Sequence, residues 1–477
     1  MENNQSKKII IMGGGPAGLT AGLELVKNNQ STLIVEADKQ VGGISRTVNY
    51  KGYYFDIGGH RFFTKEPEVK KLWEEILPDD FLKRPRLSRI YYNNKFFYYP
   101  LKPFNALLNV GPIKSIEIFF SYVITRLKYY LGGRKTATNF EDWVVQRFGR
   151  KLFNIFFKTY TEKVWGTPTN QIGADWAAQR IKGLSLLKAI KEAIFPSKQK
   201  LTTLIDEFSY PKYGVGMMYD KMADIYLKKN GELLLETKAV SLKHFNNKIT
   251  GAILQTKTGQ QEEKSADYFI STIPLPELVK ILQPAAPSDV IQAANNLNFR
   301  AFFTVCLILD QKESFADNWI YIHSPEVKVG RIQNFKQWSP YMVPDPSKTT
   351  LGMEYFCFVG DELWQMSDQN IFELAKKELE TIGLGRADKV IDGLVIKLKD
   401  VYPVYDQNYK QNLDKIYGYL KQFKNLQIAG RGGIFRYNNM DHSILTGLYS
   451  ARNILGGNYD VLKINLDEEY HEVAKNN

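Results

Sequence analysis

The sequence predicts an α/β protein with a Rossmann-like dinucleotide-binding domain, an inserted helical domain and a third domain built on an antiparallel β-sheet. Three observations carry this prediction. Lys8 to Glu36 reads strand, glycines, helix, strand. A helical pattern then runs from Ala106 to about Leu204, and strand-like runs recur between Ala301 and Phe358.

The opening stretch is the most informative. Ile9-Ile10-Ile11-Met12 is apolar and largely β-branched and stops at three glycines, as a buried strand does. Gly13, Gly15 and Gly18 fall on the G-x-G-x-x-G spacing, and Leu19, Leu23 and Val26 give the next segment a helical stripe. Gly13 lets the chain turn sharply, Gly15 lets backbone N–H groups approach a pyrophosphate, and Gly18 lets helix and strand pack closely. Pro16 and Ala17 open the helix, whose N-terminus supplies partial positive charge to phosphates. The second strand, Thr32 to Val35, ends in Glu36, at 36 − 18 = 18 positions past the last glycine. An acidic residue there accepts ribose hydroxyls and favours a free 2′-hydroxyl over a phosphate. A glycine-rich turn with no ligand would leave the flanking strands and the terminal glutamate unexplained.

With 477 residues the chain can bury a large core in two or three domains, and 44% hydrophobic with 24% charged residues is ordinary globular composition. A net charge of +12 favours an anionic partner: a dinucleotide, a nucleotide diphosphate or a membrane surface. Nucleic acid fits poorly, because the lysines are scattered and no nucleic-acid module is present. Cys306 and Cys357 both lie in apolar runs, which predicts buried thiols in a reducing compartment. The five histidines never fall at ligand spacing, so no metal site is expected. No stretch reaches ~20 uncharged apolar residues, and the expected location is cytoplasmic.

Along the chain, Glu66 to Leu77 carries Val69, Leu72 and Ile76 on one helical face, and Asn93-Asn94 joins the arms of a hairpin, Ile90 to Tyr92 and Phe96 to Tyr99. Ile116, Phe119, Phe120, Val123, Ile124 and Leu127 form a broad apolar stripe, read here as core of the helical domain, with lipid or a partner subunit as alternatives. Tyr160 to Trp165 clusters aromatics and charges at a helix end broken by Gly166 and Pro168. A further helix, Asp175 to Ile181, contains Arg180. Ile190 to Ile194, with Lys188, Lys191, Lys198 and Lys200, reads by default as a solvated basic face and is also a candidate for membrane-surface contact.

At Tyr210 to Met218 the chain returns to α/β character, with glycines ahead of a helix. A second hairpin spans Thr237 to Phe245 and Lys248 to Thr256, and Asp267 to Ser271 is a strand. Ala301 to Asp310, Trp319 to His323, Gly330 to Phe335 and Leu351 to Phe358 are expected to form one antiparallel sheet. Asn370 to Ile382 reads as helix, Asn425 to Arg431 as a strand ending in glycine, and His442 to Leu455 as the closing helix. The domains are accordingly 1–84, 209–298 and 423–477 for the dinucleotide, 103–208 helical, and 85–102 with 299–422 for the substrate.

Gly42-Gly43-Ile44-Ser45-Arg46-Thr47, just after the second strand, resembles the flavoproteins of the amine oxidase and protoporphyrinogen oxidase superfamily. The resemblance implies FAD, with Gly43 and Arg46 along it. Other segments resemble the UDP-galactopyranose mutase family. Gly58-Gly59-His60 resembles the loop under the flavin ring, and Tyr160-Thr161-Glu162-Lys163-Val164-Trp165 resembles a motif at the substrate pocket. Arg180 and Arg331 fall where that family keeps diphosphate-binding arginines, and Tyr402 where a tyrosine contacts the diphosphate. Gly430-Arg431 resembles a flavin-binding strand end, and Tyr437 with Asn439 to Ser443 the closing motif. Arg61 departs from the pattern, standing where those mutases usually carry an apolar residue.

The resemblance implies His60, Arg180 and Arg331 as catalytic, and Tyr160, Trp165, Tyr402, Tyr437 and Asn439 as substrate-binding; Tyr210, beside the glycines that precede a helix, is expected to join the substrate-binding set. The cofactor set is Gly13, Gly15, Pro16, Ala17, Gly18, Glu36, Gly43, Arg46, Gly59, His60, Gly430, Arg431, Met440, Asp441 and Ser443. It also implies a UDP-sugar substrate and reduced FAD, whose N5 displaces UDP from the anomeric carbon without net redox change. NAD(P)H or another reductant, a homodimer and peripheral membrane contact stay open. So does a flavin-dependent oxidase of the protoporphyrinogen or amine oxidase type.

Overall fold

The computed structural model describes residues 6–99, 101, 103–132, 136–174 and 207–465. A five-stranded sheet, every neighbouring pair parallel, holds the dinucleotide region, in the order Leu426–Ile428, Tyr268–Ser271, Lys8–Met12, Ser31–Val35, Glu232–Leu234. Ile9 to Met12 are buried to within a few per cent because this central strand is covered on both faces, which is why its sequence is a continuous apolar run. Helix Pro16–Lys27 follows the glycines as expected and packs against helix Met440–Ile454. Gly447 permits that approach, since a Cβ there would sit 2.2 Å from the Ala17 carbonyl oxygen.

A four-stranded sheet contains the predicted hairpin Thr237–Phe245 with Lys248–Thr256, and Asn246 and Asn247 take the positive φ that its tight turn needs. The larger sheet has seven strands, in the order Val390–Pro403, Phe299–Leu309, Thr349–Cys357, Arg331–Asn334, Trp319–Ile322, Ser88–Tyr92, Lys95–Tyr98. The four strands expected to form one antiparallel sheet pair antiparallel throughout, and Ser88–Tyr92 joins them at one parallel junction, beside Trp319–Ile322. That junction joins segments some 230 residues apart, so no hairpin constrains their direction. The edge strand Val390–Pro403 was not expected from the sequence. It mixes Asp, Gly and Lys with apolar residues, and its register breaks between Leu398 and Tyr402, where Asp400 takes φ +56°.

The helical region includes Pro103–Val110, Pro112–Leu131, Phe140–Phe148 and Thr159–Trp165. Here the structure corrects one expectation. Of the stripe, Ile116, Phe119, Phe120, Ile124 and Leu127 face outward and only Val123 packs partly against the core, while the buried positions of that helix are Ile118 and Tyr122. Periodicity reports that a helix has an apolar face without reporting what lies against it. Residues 175–206, with the helix at Asp175, Arg180 and the basic segment to Lys200, lie outside the described residues. Cys306 and Cys357 are buried free thiols. Among the described residues no helix is long and apolar enough to cross a membrane, and no cluster of His, Cys, Asp and Glu could hold a metal.

Candidate active site

Eleven of the residues assigned to the cofactor line one cavity of about 1010 Å³: Gly13, Gly15, Pro16, Ala17, Glu36, Gly43, Arg46, Gly430, Arg431, Met440 and Ser443. Its floor is backbone. Gly13 has φ +107°, and a Cβ there would lie 2.2 Å from Thr272 Oγ1. The two glycine loops meet face to face, a Cβ on Gly43 falling 3.4 Å from the Gly15 Cα. Gly18 acts from below the cavity, where its missing Cβ leaves room for the Gly13 carbonyl. No side chain caps helix Pro16–Lys27 at Gly15 and no acid sits in its first turn, so its leading N–H groups are left to an anion.

Glu36 accepts from the Gly14 and Asp38 amides, at 2.7 and 2.9 Å, which fixes its carboxylate and leaves further lone pairs for ribose hydroxyls. Burial raises its pKa, and the two amide bonds counter that. Arg46 reaches Asp38 at 2.8 Å and the Gly43 carbonyl at 3.0 Å, bracing the second glycine loop. Asn438, fully buried on the cavity wall, has an amide nitrogen with no hydrogen-bond partner among the described residues. A buried donor left open beside a glycine-walled cavity fits a polar ligand. Together these features fit a dinucleotide held by Glu36 at a ribose and by the glycine loops at the pyrophosphate.

Gly59, His60 and Asp441 stand behind this lining. A Cβ on Gly59 would strike the Trp319 ring at 2.6 Å. His60 Nε2 lies 3.0 Å from the carbonyls of both Ile44 and Ile57, so it donates to them and ties the Gly42-Gly43 loop to its own Gly58-Gly59 loop. Burial pushes its pKa down to about 4, with Arg431 and Arg331 acting in the same direction. The imidazole is neutral near pH 7 and serves as a brace. Asp441 accepts from Thr64 at 3.0 Å.

Beside the cavity stands an aromatic pocket. Tyr402 and Tyr437 stack at 5.5 Å and 18°, and Trp165 meets both edge-on at 6.3 and 6.2 Å. Arg431 lines the cavity and also lies over both tyrosine rings, at 5.6 and 4.8 Å, joining the two spaces. Tyr160 stacks on His323 at 4.5 Å and 8° and meets Tyr321 edge-on. Arg331 acts electrostatically on His60, Tyr160 and Tyr402 alike. Burial works against its charge, and the Glu354 carboxylate restores it. Glu354 Oε2 accepts from both Nε, at 2.7 Å, and Nη2, which leaves Nη1 with no protein partner among the described residues. A guanidinium gripped on one edge presents the other to a ligand. Asn439 caps the closing helix and lines the cavity.

Two assignments do not join this group. Tyr210 is packed among Phe208 and Trp338 with its hydroxyl on Asp56, so it is a core residue whose polar atom is already used. Arg180 lies outside the described residues. Arg61, the departure from the family pattern, stacks over Trp319 at 3.8 Å and donates to Ser88 Oγ at 2.8 Å, a packing role.

Sequence reasoning missed the residues that hold the pocket in shape. Glu354 sits opposite Arg331 in register, and a lone Glu inside the apolar run Leu351 to Phe358 was a readable signal. Lys163 donates to the carbonyls of Ile322, Ser324 and Val329, pinning helix Thr159–Trp165 to the large sheet, and burial lowers its pKa to about 8. Arg300 donates to the Val164 and Lys163 carbonyls at the C-terminus of the same helix. Nothing in the sequence near Arg300 announces that contact, since it spans some 136 residues.

A family model described as flavin containing amine oxidoreductase matches residues 16–455. An uncharacterized protein of Methanothermococcus thermolithotrophicus is 47% identical over 53 residues, 11% of this chain, and the chain spans 51% of that relative's length. Protoporphyrinogen oxidase 2, chloroplastic/mitochondrial, of Arabidopsis thaliana is 21% identical, with 94% of each chain covered. The crystal structure of reduced UDP-galactopyranose mutase superposes with a TM-score of 0.82 at 19% identity, covering 97% of this chain and 98% of that one, a likeness of fold.

Proposed function

Since the chain belongs to the flavin-containing amine oxidoreductase family, with FAD as its cofactor, we propose that it interconverts the pyranose and furanose forms of a UDP-sugar for cell-surface polysaccharide biosynthesis. The observation that carries this reading is Arg331, a largely buried guanidinium with one edge held by Glu354, its other edge without a partner among the described residues, and Tyr402 and Tyr160 near enough to interact with its charge. Glu354 meets the charge, and what is left over is the donor capacity of the free guanidinium edge, which an apolar substrate cannot use and a phosphate oxygen can.

Bound in its reduced form, FAD supplies the nucleophile that displaces UDP from the anomeric carbon and later gives the sugar back, with no net change of oxidation state. The protein's own part is to hold the departing diphosphate and orient the sugar. Arg331 and Arg431 bring two positive charges to the pocket, and the family resemblance adds Arg180. Tyr402 and Tyr437 present a hydroxyl-bearing stack to the phosphates, and Tyr160 with Trp165 bounds the sugar. His60, neutral and bonded through Nε2 to two carbonyls, braces the Gly42-Gly43 and Gly58-Gly59 loops without acting as the acid.

The second reading is an oxidase, favoured by the full-length similarity to protoporphyrinogen oxidase 2 and by Phe302 and Phe356 around Tyr402. Anaerobic incubation of dithionite-reduced protein with UDP-galactose, followed by chromatography for the furanose isomer, separates the two. Isomer formed without flavin oxidation supports the mutase. Substrate-dependent reduction of oxidised flavin with no isomer overturns it. Arg331→Met combined with Glu354→Gln removes both charges and keeps an acceptor for the buried Gln333 amide, so the fold and flavin content persist while UDP binding, read by titration calorimetry, falls at least about tenfold for the loss of one charged hydrogen bond. Unchanged UDP binding would reject Arg331 as the diphosphate ligand.

A further inference from the structure

Helix Pro112–Leu131 buries Ile118 and Tyr122, packs Val123 partly against the same core, and turns most of its other apolar side chains outward. Ile113, Ile116, Phe120, Ile124, Leu127 and Leu131 are exposed by between 53% and 80%. At ~100° per residue these six fall on one strip opposite Ile118, with Phe119 and Tyr130 along its side. Leu108, 64% exposed on the preceding helix, adds to the apolar surface of this region. A contiguous strip of this kind is far from the isolated surface leucine that needs no explanation.

The unpaired charges bordering the strip are of one sign. By the same spacing Arg126 falls on one border and Lys128 on the other, both exposed, and no carboxylate falls on the strip itself. Glu117, at the Lys128 border, is paired with Lys151 at 2.7 Å, so its charge is already met. The helix is not apolar enough to cross a membrane, and this distribution is that of a helix lying in an interface, apolar side among acyl chains and basic borders at the headgroups.

We propose that this face seats the protein on an anionic lipid surface. Charge complementarity favours lipid over a second copy of the chain. Two strips meeting would bring four basic border residues together with no free carboxylate between them, whereas anionic headgroups supply the missing charge. The net charge of +12 acts in the same sense over longer range.

The test is flotation of the full-length flavin-loaded protein with vesicles of phosphatidylcholine alone or of an equal mixture with phosphatidylglycerol. Wild type is expected to float with the mixed vesicles about tenfold more than with phosphatidylcholine, and less as salt rises. Phe120→Glu with Ile124→Glu, both exposed positions, is expected to abolish flotation while circular dichroism and flavin content stay unchanged. Arg126→Glu with Lys128→Glu, which keeps the apolar strip, is expected to lose the preference for the mixed vesicles. Absence of wild-type flotation, or flotation unaffected by the Phe120 and Ile124 changes, overturns the proposal. So does a dimer in solution that those changes split without any lipid binding, since the face would then belong to a second copy.

Discussion

The dinucleotide cavity and the aromatic pocket adjoin at Arg431, yet they are made of different material. Gly13, Gly15 and Gly43 form the cavity floor by having no side chain, and their loops belong to a short stretch of chain following the first two strands. The pocket is all side chains. Tyr160 and Trp165 come from one helix, Arg331 and Tyr402 from two strands of the large sheet, and Tyr437 from the loop before the closing helix. A surface made of backbone tolerates almost no added atom. A surface made of stacked rings can lose one atom and keep its shape.

The sharpest way to break that contrast is Gly13→Ala. The new Cβ would sit 2.2 Å from Thr272 Oγ1, which is itself held by a 2.9 Å bond to the Met12 carbonyl, and φ +107° is strained for any L residue. We expect the purified variant to carry almost no flavin, read as visible absorbance per mole of protein. Trp165→Phe, in the pocket, is expected to keep full flavin. If Gly13→Ala retains its flavin as wild type does, the cavity floor is not what the backbone geometry says it is.

A second contrast lies in titration. His323, whose ring supports Tyr160, is buried with Nδ1 unpartnered among the described residues, and burial pushes its pKa from 6.5 down to about 3. Between those values the unfolded chain binds the proton and the folded chain refuses it, so stability is full above pH 6.5 and falls as pH drops. At ~1.4 kcal/mol per pH unit the loss by pH 5 is about 2 kcal/mol. His60, lowered to about 4, acts in the same direction. Asp56 opposes both, since burial raises its pKa from 3.8 to about 6 and the folded state holds the extra proton in that window. His323→Phe keeps a ring against Tyr160 and removes one titration. Unfolding free energies from urea titrations at pH 7 and pH 5 should then differ less than in wild type, by about 2 kcal/mol. An identical acid loss in both proteins would mean that His323 is not buried neutral.

The same division explains what could be read from sequence. The cavity was legible because three glycines at fixed spacing, a β-branched run and a terminal Glu36 are local signals that follow one another along the chain. The pocket was reached by family resemblance, because no spacing links Tyr160 to Arg331 or Tyr402. Tyr210 was misassigned for that reason: a tyrosine near glycines looks like a ligand contact until Asp56, 154 residues away, takes its hydroxyl. The strand Val390–Pro403 hid behind its polar residues and its irregular register. The Ile116 to Leu127 stripe was seen as a pattern, but burial is a property of the neighbour and not of the pattern.

The smallest effect tests whether the cavity also uses side chains. Asn438 is fully buried, its Oδ1 accepts from Asn465 at 3.1 Å, and its Nδ2 has no partner among the described residues. A buried N–H with nothing to bond costs stability in the empty protein and regains it when a ligand acceptor arrives. Asn438→Leu has nearly the same shape and removes the donor. In the flavin-free protein, relief of that cost should offset the lost bond from Asn465, so the melting temperature stays close to wild type. The flavin-loaded protein has no such relief, because its donor is already met. Reconstitution titrations should therefore show FAD affinity weakened by about tenfold, or ~1.4 kcal/mol. Were the flavin-free variant destabilised and its affinity unchanged, Asn438 would belong to the packing behind the cavity, and the cofactor would rest on backbone and Glu36 alone.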